Sequence, residues 1–85
     1  MPYRIFLKPS AEKALADLPR DIVERLDPLL LELRENPRPR GSTKLAGIEG
    51  LYRIRAGDYR VIYQIRDDKL VVLVVRIAHR REAYR

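Results

Sequence analysis

The chain has 85 residues, contains no cysteine and carries a formal net charge of +6. A chain of this length builds one modest core, for which 46% hydrophobic residues suffice, so we expect a single domain over residues 1–85. The lack of cysteine excludes disulfides and thiolate metal sites. The longest apolar run, Leu70–Val75, is too short for a membrane span. The first residues do not have the pattern of a secretion signal, so we expect a cytoplasmic protein.

The first strand and the first helix are predicted near the N-terminus. Residues 3–7 have the composition of a strand, which Pro9 ends. Ser10 is a candidate N-cap for the helix that follows. The apolar positions of this helix recur at helical spacing and are Ala11, Ala14, Leu15 and Leu18.

A second amphipathic helix is predicted to begin near Arg20 and to end at Asn36 and Pro37. Its apolar stripe consists of Ile22, Val23, Leu26, Leu29, Leu30 and Leu33. Pro28 lies inside this stripe and removes one backbone hydrogen bond, so we expect a kink or a split of the helix near Asp27.

The remaining segments are predicted to be strands joined by short turns. They are residues 43–46, 51–55, 59–66 and 70–77, with turns at Gly47–Gly50, Gly57-Asp58 and Asp67-Asp68. The 70–77 segment is apolar almost throughout, which predicts a central strand covered on both faces. Residues 80–85 are expected to form one helical turn.

This order of elements predicts an α+β fold. We expect an N-terminal strand, a two-helix hairpin, and then a three- to four-stranded, mainly antiparallel twisted sheet. The hairpin covers one side of the sheet, which leaves the other side available as a concave basic surface.

Positive charge is concentrated in the second half of the chain. Residues 1–50 carry nine Lys/Arg against eight Asp/Glu, whereas residues 51–85 carry nine against four. Fourteen of the eighteen basic residues are arginine, whose planar guanidinium suits phosphate and stacks on bases. This pattern favours nucleic acid as the partner, although a GC-rich genome or a hot habitat also enriches arginine.

The candidate site residues are basic. The sequence has no metalloprotease, phosphate-loop or nucleophile-elbow motif, and one histidine alone does not build a metal site. Arg53 and Arg55 share one face of a strand, and the turn at residues 57–58 brings Arg60 alongside them. With His79 and Arg80 they could form a single patch that binds phosphate. Spacing alone equally allows arginines that only solvate an exposed sheet face.

Two further side chains have more than one interpretation. Tyr84, between Arg81 and Arg85, could stack on an exposed base or could anchor the end of the chain on the sheet. His79 is the one side chain whose ordinary pKa lies near neutrality, which makes it the default general acid or base. A single histidine at the end of a strand is, however, more often structural.

Two segments resemble the RelE/ParE superfamily of toxins. These are Leu-Tyr-Arg-Ile-Arg-Ala-Gly-Asp-Tyr-Arg-Val-Ile-Tyr at 51–63 and Ile-Ala-His-Arg-Arg-Glu-Ala-Tyr-Arg at 77–85, and the order of elements matches as well. The resemblance implies a RelE-like, microbial ribonuclease-type fold. RelE-type members are mRNA interferases that cleave the codon in the ribosomal A site, whereas ParE-type members poison DNA gyrase. The basic strand positions and the tyrosine near the end look RelE-like.

The resemblance also implies roles for single residues. Arg60 matches the arginine that stabilises charge on the scissile phosphate, Arg80 the one that assists the leaving 5′-oxygen, and Tyr84 the tyrosine that stacks on the base. Arg53 and Arg55 occupy positions where lysine is common, and arginine is a poor general base. His79 is then the first candidate for proton transfer, followed by Glu49 and Glu82. The residues expected to bind RNA without a catalytic role are Lys44, Arg81 and Arg85.

The same resemblance implies the partners of the protein. We expect a RelB-like antitoxin and mRNA on the ribosome, and neither a cofactor nor a metal. The sequence leaves two alternatives open: a ParE-like gyrase inhibitor, and a catalytically weak homologue that binds RNA or ribosomes without cutting.

Overall fold

The computed structural model describes residues 2–79 and 81. In chain order its elements are β1 (Arg4–Leu7), α1 (Pro9–Ala16), α2 (Arg20–Glu35), β2 (Thr43–Lys44), β3 (Leu51–Ala56), β4 (Tyr59–Arg66) and β5 (Val71–His79). The predicted α+β class is confirmed. No helix in these residues is both long and apolar enough to cross a membrane.

The strands form one five-stranded sheet in the order β1-β5-β4-β3-β2. Strands β2 to β5 pair antiparallel through short connections, whereas β1 runs parallel to β5. The sheet therefore has more strands than expected, because the N-terminal strand joins it and a two-residue strand, Thr43–Lys44, extends its other edge.

The hydrophobic core lies between the two helices and one face of the sheet. Helix α2 contributes Leu26, Leu30 and Leu33, and α1 contributes Ala11. The sheet contributes the fully buried side chains Val61, Tyr63, Val72 and Val74. These strand residues alternate with side chains on the opposite side of the sheet, which we call the open face. The open face includes Arg4, Phe6, Leu51, Arg53, Arg55, Arg60, Ile62, Gln64, Arg66, Leu73, Arg76 and Ala78.

A β-bulge in β5 decides which of its residues lie on the open face. Tyr63 pairs with Val74 while Ile62 pairs with Arg76, so Val75 is an extra residue between two paired positions. Because side chains alternate along a strand, the extra residue reverses the side on which every later residue of β5 stands.

Two details of the helices differ from expectation. Helix α1 begins two residues earlier than expected, with Pro9 at its first position, so Ser10 lies inside the helix and is not its N-cap. Helix α2 is not split at Pro28. Pro28 and Glu24 are both exposed, so water can solvate the Glu24 carbonyl that the proline leaves without a donor.

The expected place of the last strand was also partly wrong. Strand β5 is interior, between β1 and β4, but the central strand of the five is β4. Both helices pack on one face, so within the described residues β5 is covered by helices on one side only. Its apolar residues Val71, Leu73 and Val75 are half-buried instead of buried.

Candidate functional site

The hairpin of β3 and β4 brings two arginines directly opposite each other. Arg55 pairs with Arg60, and the turn between the strands is closed by Gly57 at φ 61°, in the region that glycine adopts readily. Directly opposed side chains in an antiparallel pair have Cβ atoms only about 5 Å apart. The sequence prediction that Arg55 and Arg60 lie side by side agrees with this register.

A second row of arginines adjoins this pair on the same face. Arg53 of β3 and Arg76 of β5 both pair with Ile62, so they stand on either side of it across the sheet. Together these side chains form what we call the arginine cluster: Arg53, Arg55, Arg60 and Arg76.

The members of the arginine cluster differ in burial. Arg60 is only 4% exposed, although it carries a full charge, whereas Arg55 and Arg76 are exposed. Packing therefore holds the Arg60 guanidinium in place, and Arg55 can adjust its position. Four guanidinium groups on one face give the cluster the hydrogen-bond donors and the positive charge of an anion-binding surface.

His79 is not brought together with these arginines. It pairs with Tyr59, next to Arg60 along β4, and so stands on the opposite side of the sheet. Its ring meets the Tyr59 ring edge-on, with centroids 5.3 Å apart, and its Nδ1 accepts a hydrogen bond from the Arg81 backbone N–H at 3.3 Å. The bulge at Val75 is the cause, since strict alternation along β5 would have put His79 beside Arg60.

The same bulge explains a residue that the sequence analysis missed. Arg76 was treated as part of an apolar strand, and strict alternation puts it on the core side. Beyond the bulge it stands on the open face, next to Ile62 and Arg53. The available signal was the charge itself, because Arg76 is the one ionisable residue in the run 70–78.

Lys44 stands on the other side of the sheet from the arginine cluster, although its neighbour Thr43 pairs with Arg53. Lys44 itself pairs with Tyr52 at the edge of the sheet and therefore shares the side of Tyr52, not that of Arg53. There it borders a cavity of about 530 Å³ at the opposite end of β4. Side chains of both signs line this cavity: Arg38, Lys44, Arg66, Glu49, Asp67 and Asp68. Its carboxylates make it a poor phosphate site.

A hydrogen-bonded cluster at this end holds three distant segments together. Arg38 Nη2 donates to Asp67 Oδ2 at 2.7 Å, Tyr3 Oη donates to Asp67 Oδ1 at 2.6 Å, and Arg38 Nε donates to Tyr52 Oη at 3.1 Å. The hydrogen bonds from Arg38 and then Tyr3 lower the pKa of Asp67. The carboxylate is thus stabilised in its charged form, and the cluster is structural in character.

Of the candidates in residues 80–85, the structure describes Arg81. Arg80, Glu82, Tyr84 and Arg85 lie outside the described residues, as does most of the helical turn expected there. Arg81 is described and exposed. Within residues 2–79 and 81, no three His, Cys, Asp or Glu side chains are grouped so that they could hold a metal ion.

Comparison with known proteins identifies the family. Residues 5–84 match the family described as the ParE toxin of type II toxin–antitoxin systems. Toxin RelE of Mycobacterium tuberculosis is 34% identical over 85 residues, covering 99% of this chain and 88% of the relative. The mRNA interferase toxin RelE of Escherichia coli K12 is 33% identical over 85 residues, covering 98% and 88%.

A solved structure agrees with these sequence matches. The archaeal RelE–RelB complex from Pyrococcus horikoshii OT3 superposes with a TM-score of 0.84 at 34% identity, covering 94% of this chain and 97% of that chain. Sequence and fold therefore agree over nearly the whole length, and this chain belongs to the RelE/ParE superfamily of toxins from type II toxin–antitoxin systems.

Proposed function

We propose that this protein is a RelE-type toxin that cleaves mRNA on translating ribosomes in the cytoplasm, as one domain over residues 1–85. The observation that carries the proposal is the arginine cluster, in which Arg55 stands directly opposite the buried Arg60. A relative named an mRNA interferase is 33% identical across almost the whole chain, which supports the same reaction class.

The proposed reaction is an internal transfer within RNA. The ribose 2′-oxygen attacks the adjacent phosphorus, and the bond from phosphorus to the 5′-oxygen breaks. The products are a 2′,3′-cyclic phosphate and a free 5′-hydroxyl. One proton leaves the 2′-hydroxyl and one is delivered to the 5′-oxygen, so the reaction needs no other reactant.

In this scheme the arginines act through charge and position. Arg60, which is only 4% exposed, places its positive charge close to the phosphate on which negative charge develops, and the exposed Arg55 and half-buried Arg53 donate hydrogen bonds to the phosphate oxygens. Arg80 is proposed to assist the leaving oxygen and Tyr84 to stack on the base, as the family resemblance implies. Arg81 and Arg85 are proposed to bind the flanking RNA. Lys44 has no role in this scheme, because it stands on the opposite face of the sheet from the arginine cluster.

The first test measures cleavage directly. Purified protein is added to ribosomes translating a defined message, and cut sites are mapped by primer extension. We expect cleavage within codons, and we expect Arg60→Ala to lower its rate about 100-fold, the effect typical of removing one group that stabilises a developing charge. Arg20→Ala, an exposed arginine on α2 that pairs with Glu24, is the matched control and should cut normally.

Two results would reject the proposal. One is a folded wild-type protein that leaves ribosome-bound mRNA intact, which would favour a gyrase inhibitor or a non-cutting binder. The other is equal loss of cleavage in Arg60→Ala and Arg20→Ala. Thermal melting of each variant separates lost chemistry from lost folding, because Arg60 is buried.

A second test concerns His79. Its position across the sheet from Arg60 and its contact with Tyr59 favour a role in fixing the end of β5, not in proton transfer. We therefore expect His79→Ala to keep the shape of the pH profile of cleavage and to lower the melting temperature by a few degrees. A profile that loses its limb near neutral pH would instead make His79 the proton carrier.

A RelB-like antitoxin is the proposed protein partner. The Pyrococcus horikoshii structure that this chain resembles is a complex of RelE with RelB. An acidic, amphipathic segment is the chemistry that would neutralise the open face, and such a segment would fold on binding.

A further inference from the structure

Arginines continue along the open face beyond the arginine cluster. Arg4 of β1 and Arg66 of β4 both pair with Val71, so they lie in one row across the sheet, and both are exposed. Arg66 Nε lies 4.0 Å from Asp68 Oδ1, and an exposed pair of this kind is weak enough for a phosphate to compete with the carboxylate. Arg60 and Arg66 stand near the two ends of β4. At the rise of a β-strand, this row lies roughly 20 Å from Arg60.

An exposed aromatic ring lies between these two groups of arginines. Phe6 pairs with Leu73, which pairs with Gln64, so its ring stands on the open face one row nearer to the cluster than Arg4. Phe6 is 47% exposed, and the Arg4 guanidinium lies over its ring, 5.4 Å from the centroid. An exposed ring with a planar guanidinium over it forms a surface on which a nucleic-acid base can stack.

The two layers of the protein differ in charge. None of the five strands contains Asp or Glu, although they contain six arginines that stand on the open face. Helix α2, on the other side of the sheet, carries five carboxylates against three arginines. A polyanion is therefore attracted to the open face and not to the helices.

We propose that the open face binds an unpaired segment of the same RNA strand that is cleaved at the arginine cluster. Arg4 and Arg66 contact its phosphates, and Phe6 stacks on one of its bases. This inference rests on the proposed function. Unpaired RNA fits best, because a duplex keeps its bases stacked internally and offers none to Phe6.

The test measures binding without cleavage. A fluorescent trinucleotide and an unpaired oligonucleotide of about ten nucleotides, both with 2′-O-methyl riboses that block the attacking oxygen, are titrated into the full chain. We expect the longer RNA to bind at least ten-fold more tightly. Phe6→Ala should weaken it about 10-fold, and Arg4→Ala with Arg66→Ala should lower its salt dependence by about 1.4 in slope, the value for two lost phosphate contacts.

Matched variants on the helix layer serve as controls. Lys13→Ala with Arg20→Ala removes the same charge as the double arginine variant, but from α1 and α2. Leu31→Ala removes an exposed apolar side chain, 60% exposed, from α2. Both controls should bind long and short RNA as the wild type does.

The inference and the proposed function fail in different ways. Equal affinity for the two lengths, or equal loss in the open-face and control variants, overturns the inference even if Arg60-dependent cleavage is intact. Competition by an acidic amphipathic peptide with no preference for longer RNA overturns it in favour of a protein occupant. Length-dependent binding that needs Phe6, in a protein that never cuts ribosome-bound mRNA, supports the inference and rejects only the cleavage.

Discussion

Gly50 lies directly against the backbone of β4. Its φ of 77° is left-handed, and a Cβ built there would lie 2.7 Å from the Ile65 carbonyl oxygen. The Gly50 carbonyl in turn accepts a hydrogen bond from the Ile65 N–H at 2.8 Å, so the loop and strand β4 cannot separate without losing this hydrogen bond. The approach of this loop to the sheet thus depends on the absence of a side chain.

Replacing Gly50 should therefore cost more than replacing another glycine of the same loop. We expect Gly50→Ala to destabilise the fold by about 3 kcal/mol, from the left-handed φ and the steric clash together. Gly47→Ala is the control: its φ is 95°, but nothing lies within 4 Å of the added methyl group. Urea unfolding of both variants measures the difference, and equal losses would mean that the contact with Ile65 relaxes freely.

The sequence allowed only part of the arginine cluster to be predicted. Arg53, Arg55 and Arg60 could be assigned to one face from the sequence, because a tight turn fixes the phase of two adjacent strands. Arg76 and His79 could not, since both follow a bulge for which no residue in Val71–Val75 gives a signal. Because of the extra residue Val75, Arg76 lies at the candidate site and His79 lies on the opposite side of the sheet.

At the scale of elements, a buried hydrogen bond joins strand β4 to the segment after α2. Tyr63 is fully buried, its ring stacks on Tyr52 with centroids 6.0 Å apart, and its hydroxyl donates to the Pro37 carbonyl at 2.8 Å. Burial raises the pKa of Tyr63 to about 12. The hydroxyl must keep its proton to donate, so this link between helix and sheet weakens in strong alkali.

Removing this hydroxyl should have two effects. We expect Tyr63→Phe to cost about 1–3 kcal/mol at pH 7, because it leaves a buried carbonyl without a donor. A raised pKa stabilises the fold below the ordinary value of 10, and this contribution is lost as the pH rises from about 10 to 12. The variant should therefore lose less stability than the wild type over that range.

Chemical unfolding at a series of pH values checks this prediction. Tyr52→Phe is the control, because the Tyr52 hydroxyl accepts a hydrogen bond from the exposed side chain of Arg38. If both phenylalanine variants behaved alike, the bond to Pro37 would have no special weight.

Elements with local signals were the ones that the sequence predicted well. Residues 59–66 were expected as a strand and form β4, since alternation and two flanking turns define it. The parallel pairing of β1 with β5 was not predicted, because no local turn connects residues so far apart in sequence. The unbroken course of α2 through Pro28 was likewise not predicted, because it depends on tertiary structure. Pro28 is exposed, so water can solvate the backbone carbonyl that lacks a donor there.

At the scale of the whole molecule, Asp67 joins three segments that are distant in sequence. Its carboxylate accepts hydrogen bonds from Tyr3, before β1, and from Arg38, after α2, while Asp67 itself lies in the turn after β4. These bonds lower the pKa of Asp67 below its ordinary value of 3.8. The contribution to stability is therefore present above about pH 4 and is lost as the pH falls through the lowered pKa.

Acid unfolding tests this link. The wild type should lose stability as the pH falls below about 4, and Asp67→Asn should show a flatter dependence, because it has no carboxylate to protonate. Asp68→Asn removes the same charge one residue along, where Asp68 Oδ1 lies 4.0 Å from Arg66 Nε. That variant should keep the wild-type slope, and a slope flattened equally by both changes would assign the effect to net charge alone.

The parallel pairing of β1 with β5 has a consequence for how the protein is made. Arg4 pairs with Val71, 67 positions later in the chain, so the first strand gains its neighbour only after most of the chain has been synthesised. The complete sheet therefore forms late in synthesis. Arg76 lies on β5 as well. Until the ribosome has added β5, the growing chain therefore lacks the complete set of guanidinium groups that would bind a phosphate.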